Sequence, residues 1–250
     1  MTFHIAVAGK GGTGKTTLAS LIVRYLVEQG NGPVLAVDAD PNSNLNEAMG
    51  LKLTGTVAEL LAGMKDGHSV PPGMTKDLYI EYRLSAALTE GENVDLLVMG
   101  GPEGAGCYCF PNDVLKRYVQ RLSANYRYLV MDNEAGLEHL SRRIAQDVDV
   151  LLVTSDATAR GVRSAGRVKA LVESLSTRVG RMYLVLTRAQ AADARQLGEE
   201  MAGTGLELAA IIPPDPLVSQ YDLEGRPLFD LPASAAAVRA VEELCRKVLS

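Results

Sequence analysis

Nine consecutive residues, Gly9-Lys10-Gly11-Gly12-Thr13-Gly14-Lys15-Thr16-Thr17, gather glycines, two ammonium groups and three hydroxyls near the start of a 250-residue chain. Glycine lets backbone N–H groups close around an anion, and a helix opening at Lys15 adds unpaired N–H groups and partial positive charge. The spacing G-x-x-x-x-G-K-[ST] between a strand and a helix marks a phosphate-binding loop. Lys15 is expected to reach the β and γ phosphates of ATP, and Thr16 to ligate Mg²⁺. Gly9, Gly11, Gly12, Thr13, Gly14, Lys15, Thr16 and Thr17 are the expected contacts to ATP or ADP.

Three carboxylates stand where such chemistry needs them. Asp38 and Asp40 close the run Val37-Asp38-Ala39-Asp40-Pro41, and Asp132 closes Leu129-Val130-Met131-Asp132. An acid at the end of an apolar strand, with a phosphate loop upstream, is expected to hold Mg²⁺ through water. Cys107-Tyr108-Cys109 is a separate constellation. Its two Cα atoms lie at most about 6.6 Å apart in an extended segment, close enough for both thiolates to grip one metal after a slight bend. One chain supplies two ligands, so a four-thiolate site would need two copies facing across a two-fold axis. Packing is the other reading of these cysteines.

The elements that must position these groups alternate between strand and helix. Apolar runs at Phe3 to Ala8, Val34 to Asp38, Asp95 to Met99, Tyr128 to Asp132, Val150 to Thr154, Met182 to Thr187 and Leu208 to Ile212 read as strands buried on both faces. The predicted fold is a single α/β domain over residues 1–250: a mostly parallel twisted sheet of seven or eight strands with helices on both faces. Leu18, Leu21, Ile22, Tyr25 and Leu26 recur at helical spacing and end at Gly30, and Val238, Val241, Leu244, Cys245 and Val248 form a stripe on a last helix. Lys65 to Asn93 and Gly100 to Gly106 interrupt the alternation, as exposed insertions or as partner-facing surfaces.

A net charge of −5 and an isoelectric point near 5.3 give no footprint for a phosphodiester backbone, so no nucleic acid partner is expected. No apolar run is long enough to span a membrane, and Met1 to Gly9 is too short for a signal peptide. No membrane partner and a cytoplasmic location are expected, where the three cysteines stay reduced.

The second lysine narrows the class. Lys10 inside the loop resembles the deviant Walker A motif of the dimeric ATPases related to MinD, ParA and the nitrogenase iron protein. The resemblance implies a homodimer in which Lys10 reaches the partner's nucleotide and stabilises charge on the transferring phosphoryl group in trans. It also implies that Asp40, in switch I, orients or activates the attacking water, making Lys10, Lys15 and Asp40 the catalytic set. Asp38 either supports that loop by hydrogen bonding or serves as a cap. Members of this class generally read adenine with an asparagine, and the matching stretch here is Val185-Leu186-Thr187-Arg188. Thr187 offers one hydroxyl where asparagine offers a donor and an acceptor. Thr187, Arg188 and Pro213 are the expected nucleoside contacts, with Pro213-Pro214-Asp215 read either as base pocket or as a turn.

More narrowly, Gly9 to Thr17, Gly106-Cys107-Tyr108-Cys109 and Val130 to Leu140 resemble the CooC-type carbon monoxide dehydrogenase maturation ATPases. The resemblance covers essentially the whole chain. It implies that Cys107 and Cys109 bind nickel, or zinc in its place, between subunits. ATP turnover then helps load nickel into carbon monoxide dehydrogenase, or into acetyl-CoA synthase in close relatives. His139 is read as a cap or packing residue, with a switch or ligand role as the alternative, and Cys245 as core. Two other functions stand beside this one: an iron–sulfur reductase of the nitrogenase iron protein type, and a positioning ATPase. Switch II, Asp132 to Arg143, has no cysteine for the first, and the acidic charge opposes the second.

Overall fold

Successive residues of a strand point to opposite faces of a sheet, and here both faces are apolar. Ile5 and Val7 pack with Leu18, Ile22 and Leu26 on one side, while Ala6 and Ala8 pack with Leu35, Val37, Met131 and Val162 on the other. Such strands carry no polar alternation, which is why they read as continuous apolar runs. The computed structural model describes residues 1–60, 70–100, 117–133, 147–174 and 178–249. Among these the strands are β1 (Phe3–Gly9), β2 (Val34–Asp38), β3 (Leu88–Glu90), β4 (Val94–Val98), β5 (Tyr128–Asp132), β6 (Asp147–Asp156), β7 (Arg178–Thr187) and β8 (Glu207–Ile212).

They form one sheet in the order β3-β4-β2-β5-β1-β6-β7-β8. Every neighbouring pair is parallel except β3 with β4. Parallel register lines up the strand ends: Asp38 lies opposite Asp132, Gly9 opposite Thr154, Asp156 opposite Thr187, and Thr187 opposite Ile212. The carboxyl edge of the sheet thus collects the residues that the sequence marks for chemistry, around β1 at its centre. Open α/β sheets bind ligands at this edge.

Helices α1 (Lys15–Glu28), α2 (Leu45–Met49), α3 (Lys76–Ser85), α4 (Ala159–Ser174), α5 (Ala191–Gln196), α6 (Gly198–Thr204), α7 (Pro216–Glu224) and α8 (Ala236–Val248) surround the sheet. In α1 the expected stripe buries Leu18, Leu21, Ile22 and Leu26. Just past its end, Gly30 sits at φ 65° and donates to Val27 O, and Asn31 donates to Leu26 O. That is a left-handed helix stop. In α8 the stripe from Val238 to Val248 is buried, Cys245 included, and burial pushes its thiol up to about 12. Cys245 is therefore core, as expected.

The seven expected strands are present, and β3 is an addition. It lies with α3 inside the Lys65 to Asn93 segment, whose described part is not a simple insertion. Thr75 caps α3 by accepting from Leu78 N, and Tyr79, Ile80, Leu84 and Ala87 are buried against the core. A three-residue strand, and a helix whose exposed face carries Leu78 and Tyr82, leave too little periodic signal to read. Among the described residues no helix is long and apolar enough to cross a membrane.

If α3 belongs to the cooperative fold, Leu84→Ala should destabilise the protein by about 2–5 kcal/mol in chemical denaturation. Tyr82→Ala, whose side chain is 63% exposed, should change stability by less than about 0.5 kcal/mol.

Candidate functional site

The loop between β1 and α1 turns on glycines in the left-handed region. Gly12 and Gly14 both have φ 76°, and Gly14 forms the N-cap of α1 without a side-chain bond. Gly9 is required for a different reason. A Cβ there would stand 2.3 Å from Thr154 Oγ1 and 2.5 Å from Thr154 O. No side chain fits between β1 and β6 at that point.

Three carbonyls of the loop are tied outward by side-chain donors. Thr13 Oγ1 donates to Lys10 O at 2.7 Å, Arg188 Nη2 donates to Gly12 O at 2.7 Å, and Thr187 Oγ1 donates to Thr13 O at 2.8 Å. Thr13 Oγ1 also lies 2.7 Å from Thr154 Oγ1, which ties the loop to the end of β6. With these three carbonyls committed, the loop's polarity toward the cavity shifts to its N–H groups, which is what a phosphate wants. Arg188 reaches the loop from a strained backbone, φ 49° at a non-glycine residue. The hydroxyl hydrogen of Thr187 is thus spent on the phosphate loop, and only acceptor capacity remains to face a base. Thr154, which sequence reading placed merely at the end of a strand, is part of the same clamp. Its only signal was register.

Below the loop, Lys15 is buried at 7% exposure, whereas Lys10 is exposed. Thr16 Oγ1 donates to Asp132 Oδ2 at 2.6 Å. Asp132 is 1% exposed, and its Oδ1 has no hydrogen-bond partner among the described residues. A buried carboxylate oxygen left unmade is costly and calls for a cation or water. Burial is the main cause that pushes its carboxyl up to about 7. The neighbouring Asp38 and Asp40 charges add to the rise, while Thr16 and Lys15 oppose it. The threonine hydroxyl, orphaned carboxylate oxygen and all-oxygen donor set fit Mg²⁺. Asn133, also fully buried, donates through Nδ2 to Val7 O at 3.0 Å, and its Oδ1 has no partner among the described residues.

Asp38 resolves to a structural part. Its Oδ1 accepts from Asp40 N and its Oδ2 from Leu45 N, both at 3.0 Å, so it shapes the loop that carries Asp40 and caps α2. Burial raises its pKa, with those backbone bonds opposing. Asp40 accepts from Asn42 N at 2.9 Å and lies on the same sheet edge. From Gly14 and Thr17 a cleft of about 400 Å³ runs between α1 and the loop after β8, past Thr187, Arg188 and Pro213. Pro213-Pro214-Asp215 is a turn after β8 that also faces the cleft. The three line the cleft, and Asp215 caps two helices at once, accepting from Leu217 N and from Ala237 N at 2.9 Å each. Cys107, Cys109 and His139 lie outside the described residues.

The raised Asp132 pKa has a defined sign. The native state of the nucleotide-free protein holds a proton that the unfolded chain loses near its ordinary 3.8, so stability falls as pH rises between about 4 and 7. Asp132→Asn should therefore raise the melting temperature of metal-free protein by several degrees at pH 8 and hardly at all at pH 4, read by calorimetry across pH.

An ATP-binding protein of Methanocaldococcus jannaschii, MJ0685, described as uncharacterized, is 39% identical over 98% of both chains. The carbon monoxide dehydrogenase accessory protein CooC of Rhodospirillum rubrum is 30% identical over 68% of this chain and 69% of its own length. The MinD cell division protein of Aquifex aeolicus shares the fold, with a TM-score of 0.73 at 24% identity over 99% of this chain and 97% of that one. The CbiA profile, described as the CobQ/CobB/MinD/ParA nucleotide binding domain, matches residues 4–228. A phosphate loop with tied carbonyls, a strand-end acid awaiting a cation and a profile match over most of the chain lead to one statement: this chain belongs to the CobQ/CobB/MinD/ParA nucleotide-binding family of P-loop ATPases.

Proposed function

We propose that this protein is a Mg²⁺-dependent ATPase and nickel metallochaperone, which binds its cargo at Cys107 and Cys109 of two subunits and assists insertion into carbon monoxide dehydrogenase or acetyl-CoA synthase. The observation that carries the reading is the pairing of a two-lysine phosphate loop with a Cys-x-Cys motif in a chain similar to the Rhodospirillum rubrum accessory protein. Thr16 and Asp132 hold Mg²⁺, which supplies charge neutralisation at the β and γ phosphates. Lys15 binds the same phosphates from its buried position. Lys10, exposed on the loop, is free to cross to a partner subunit's nucleotide, and Asp40 orients the attacking water. Gly9, Gly11, Gly12, Thr13, Gly14 and Thr17 complete the phosphate cradle, with Thr187, Arg188 and Pro213 along the nucleoside.

Nickel is substrate here rather than resident cofactor. Two thiolates per chain make a complete site only when two chains meet, so metal and nucleotide both favour the dimer and each strengthens the other. ATP hydrolysis then releases the dimer and the cargo together. A positioning ATPase is the second reading, supported by the MinD-like fold. It gives no role to the cysteine pair.

Sizing and equilibrium dialysis with nickel, with and without Mg·ADP or Mg·ATP, test the proposal. The expected result is about one nickel per two chains, lost in the Cys107→Ser/Cys109→Ser double variant. Unchanged stoichiometry in that variant ends the cysteine assignment. In steady-state assays Lys10→Ala should lower ATP turnover about 10³-fold and leave Mg·ADP binding intact, as a charge supplied in trans requires.

A further inference from the structure

The strand order leaves β8 at one end of the sheet. It pairs with β7 on one side, and on the other no strand among the described residues meets its main chain. The carbonyl of Ile212 bonds inward, to Ala189 N just past β7, so the N–H and C=O of Ile211, one residue earlier, turn to the open side. Along that edge lies a groove of about 470 Å³, lined by Leu208 to Ile211 and walled by Ala240, Glu243, Leu244 and Lys247 of α8. It shares no lining residue with the nucleoside cleft.

An open edge is a template for another strand, and proteins guard such edges with lysines and bulges. Here the guard covers one end. Lys247 Nζ donates to Leu208 O at 3.2 Å and pairs with Glu207 at 2.7 Å, and the bulge against β7 falls at Ala209. Beyond it Ala210 and Ile211 are half-buried and in regular register, with no such guard among the described residues.

The charges of α8 say what covers the groove. This helix runs antiparallel to β8, since Lys247 reaches Leu208 while Ala237 N bonds Asp215 past the strand's other end. Its exposed residues Arg239, Glu243 and Lys247 recur every fourth position and form a ridge of alternating sign. Two such ridges turned end for end and offset by one helical turn set each Glu243 against the other's Lys247. Without the offset, Glu243 would face Glu243 and Arg239 would face Lys247. Antiparallel pairing of two β8 edges across a two-fold axis supplies the reversal, because it turns the strand and the helix of the second copy together. We infer that a second copy of this chain docks here, edge to edge, continuing the eight-stranded sheet into that of its partner. The contact needs neither nucleotide nor metal, and joined to the nucleotide-dependent dimer proposed above it would link dimers into tetramers or rows.

Sedimentation equilibrium of the full chain in EDTA and reductant, without nucleotide, tests this, because neither metal nor nucleotide can then bridge subunits. The expected result is a dimer that forms as protein concentration rises. Glu243→Lys should weaken it about tenfold, and Glu243→Lys/Lys247→Glu, which exchanges the two signs, should restore it. Both positions are exposed, so the variants keep the fold, which their melting temperatures check. Hydrogen exchange at the Ile211 amide should slow as the dimer forms, while that of Val7 in the central strand stays the same. A monomer at every concentration overturns the inference. So does association that survives Glu243→Lys, that the exchanged pair fails to restore, or that leaves Ile211 exchange unaltered. Association that appears only with Mg·ATP also overturns it, by assigning the contact to the phosphate-loop face.

Discussion

A peptide loop can hold a phosphate only if its amide hydrogens, not its carbonyl oxygens, face the cavity. In this protein that orientation is enforced partly from within the loop, by Thr13, and partly from the end of β7, by Thr187 and Arg188. Thr13, Thr187 and Arg188 hold the carbonyls of Lys10, Thr13 and Gly12. The loop's four glycines bring no side chain with which to resist turning over, and Gly12 and Gly14 adopt backbone angles that other residues resist. Its shape therefore depends on β6 and β7 ending where they do, which depends in turn on parallel register across the sheet.

The same edge sets the electrostatics. Asp38 and Asp132 face each other across neighbouring strands, and both sit in surroundings that resist ionisation. Asp38 is held by two backbone N–H groups and stays structural, while Asp132 keeps one oxygen bare. The difference separates the two acids: one builds the loop that carries Asp40, the other keeps an oxygen open, which is why the cation role is proposed for it. An ionised carboxylate buried without a partner costs the fold free energy, and the Mg²⁺ role proposed for Asp132 would offset that cost by binding.

Much of this was legible in the residues. The strands announced themselves because both faces of the sheet are buried, and the phosphate loop because its chemistry is local and contiguous. Asp132 could be singled out only once the loop was recognised. What the sequence did not reveal was long-range: Thr154 under the loop and the two-helix cap made by Asp215. These residues acquire meaning from pairing register and from helices that meet across the sheet, and no spacing along the chain encodes that. Thr187 is the instructive case. Sequence comparison with the class suggested a weakened base reader, whereas its hydroxyl hydrogen belongs to the phosphate loop. The short strand Leu88–Glu90 was hidden by brevity, and the helix before it by Leu78 and Tyr82 on its exposed face, which blur its periodicity.

The outward tie of the loop's carbonyls is tested most directly by Thr187→Val, which keeps the side-chain shape and removes only the hydroxyl. Calorimetric titration of Mg·ADP should show affinity lowered about tenfold with the ratio of ADP to GDP affinity unchanged, because the lost bond orders the phosphate cradle. Unchanged affinity for Mg·ADP, or a loss confined to one base, would contradict this account.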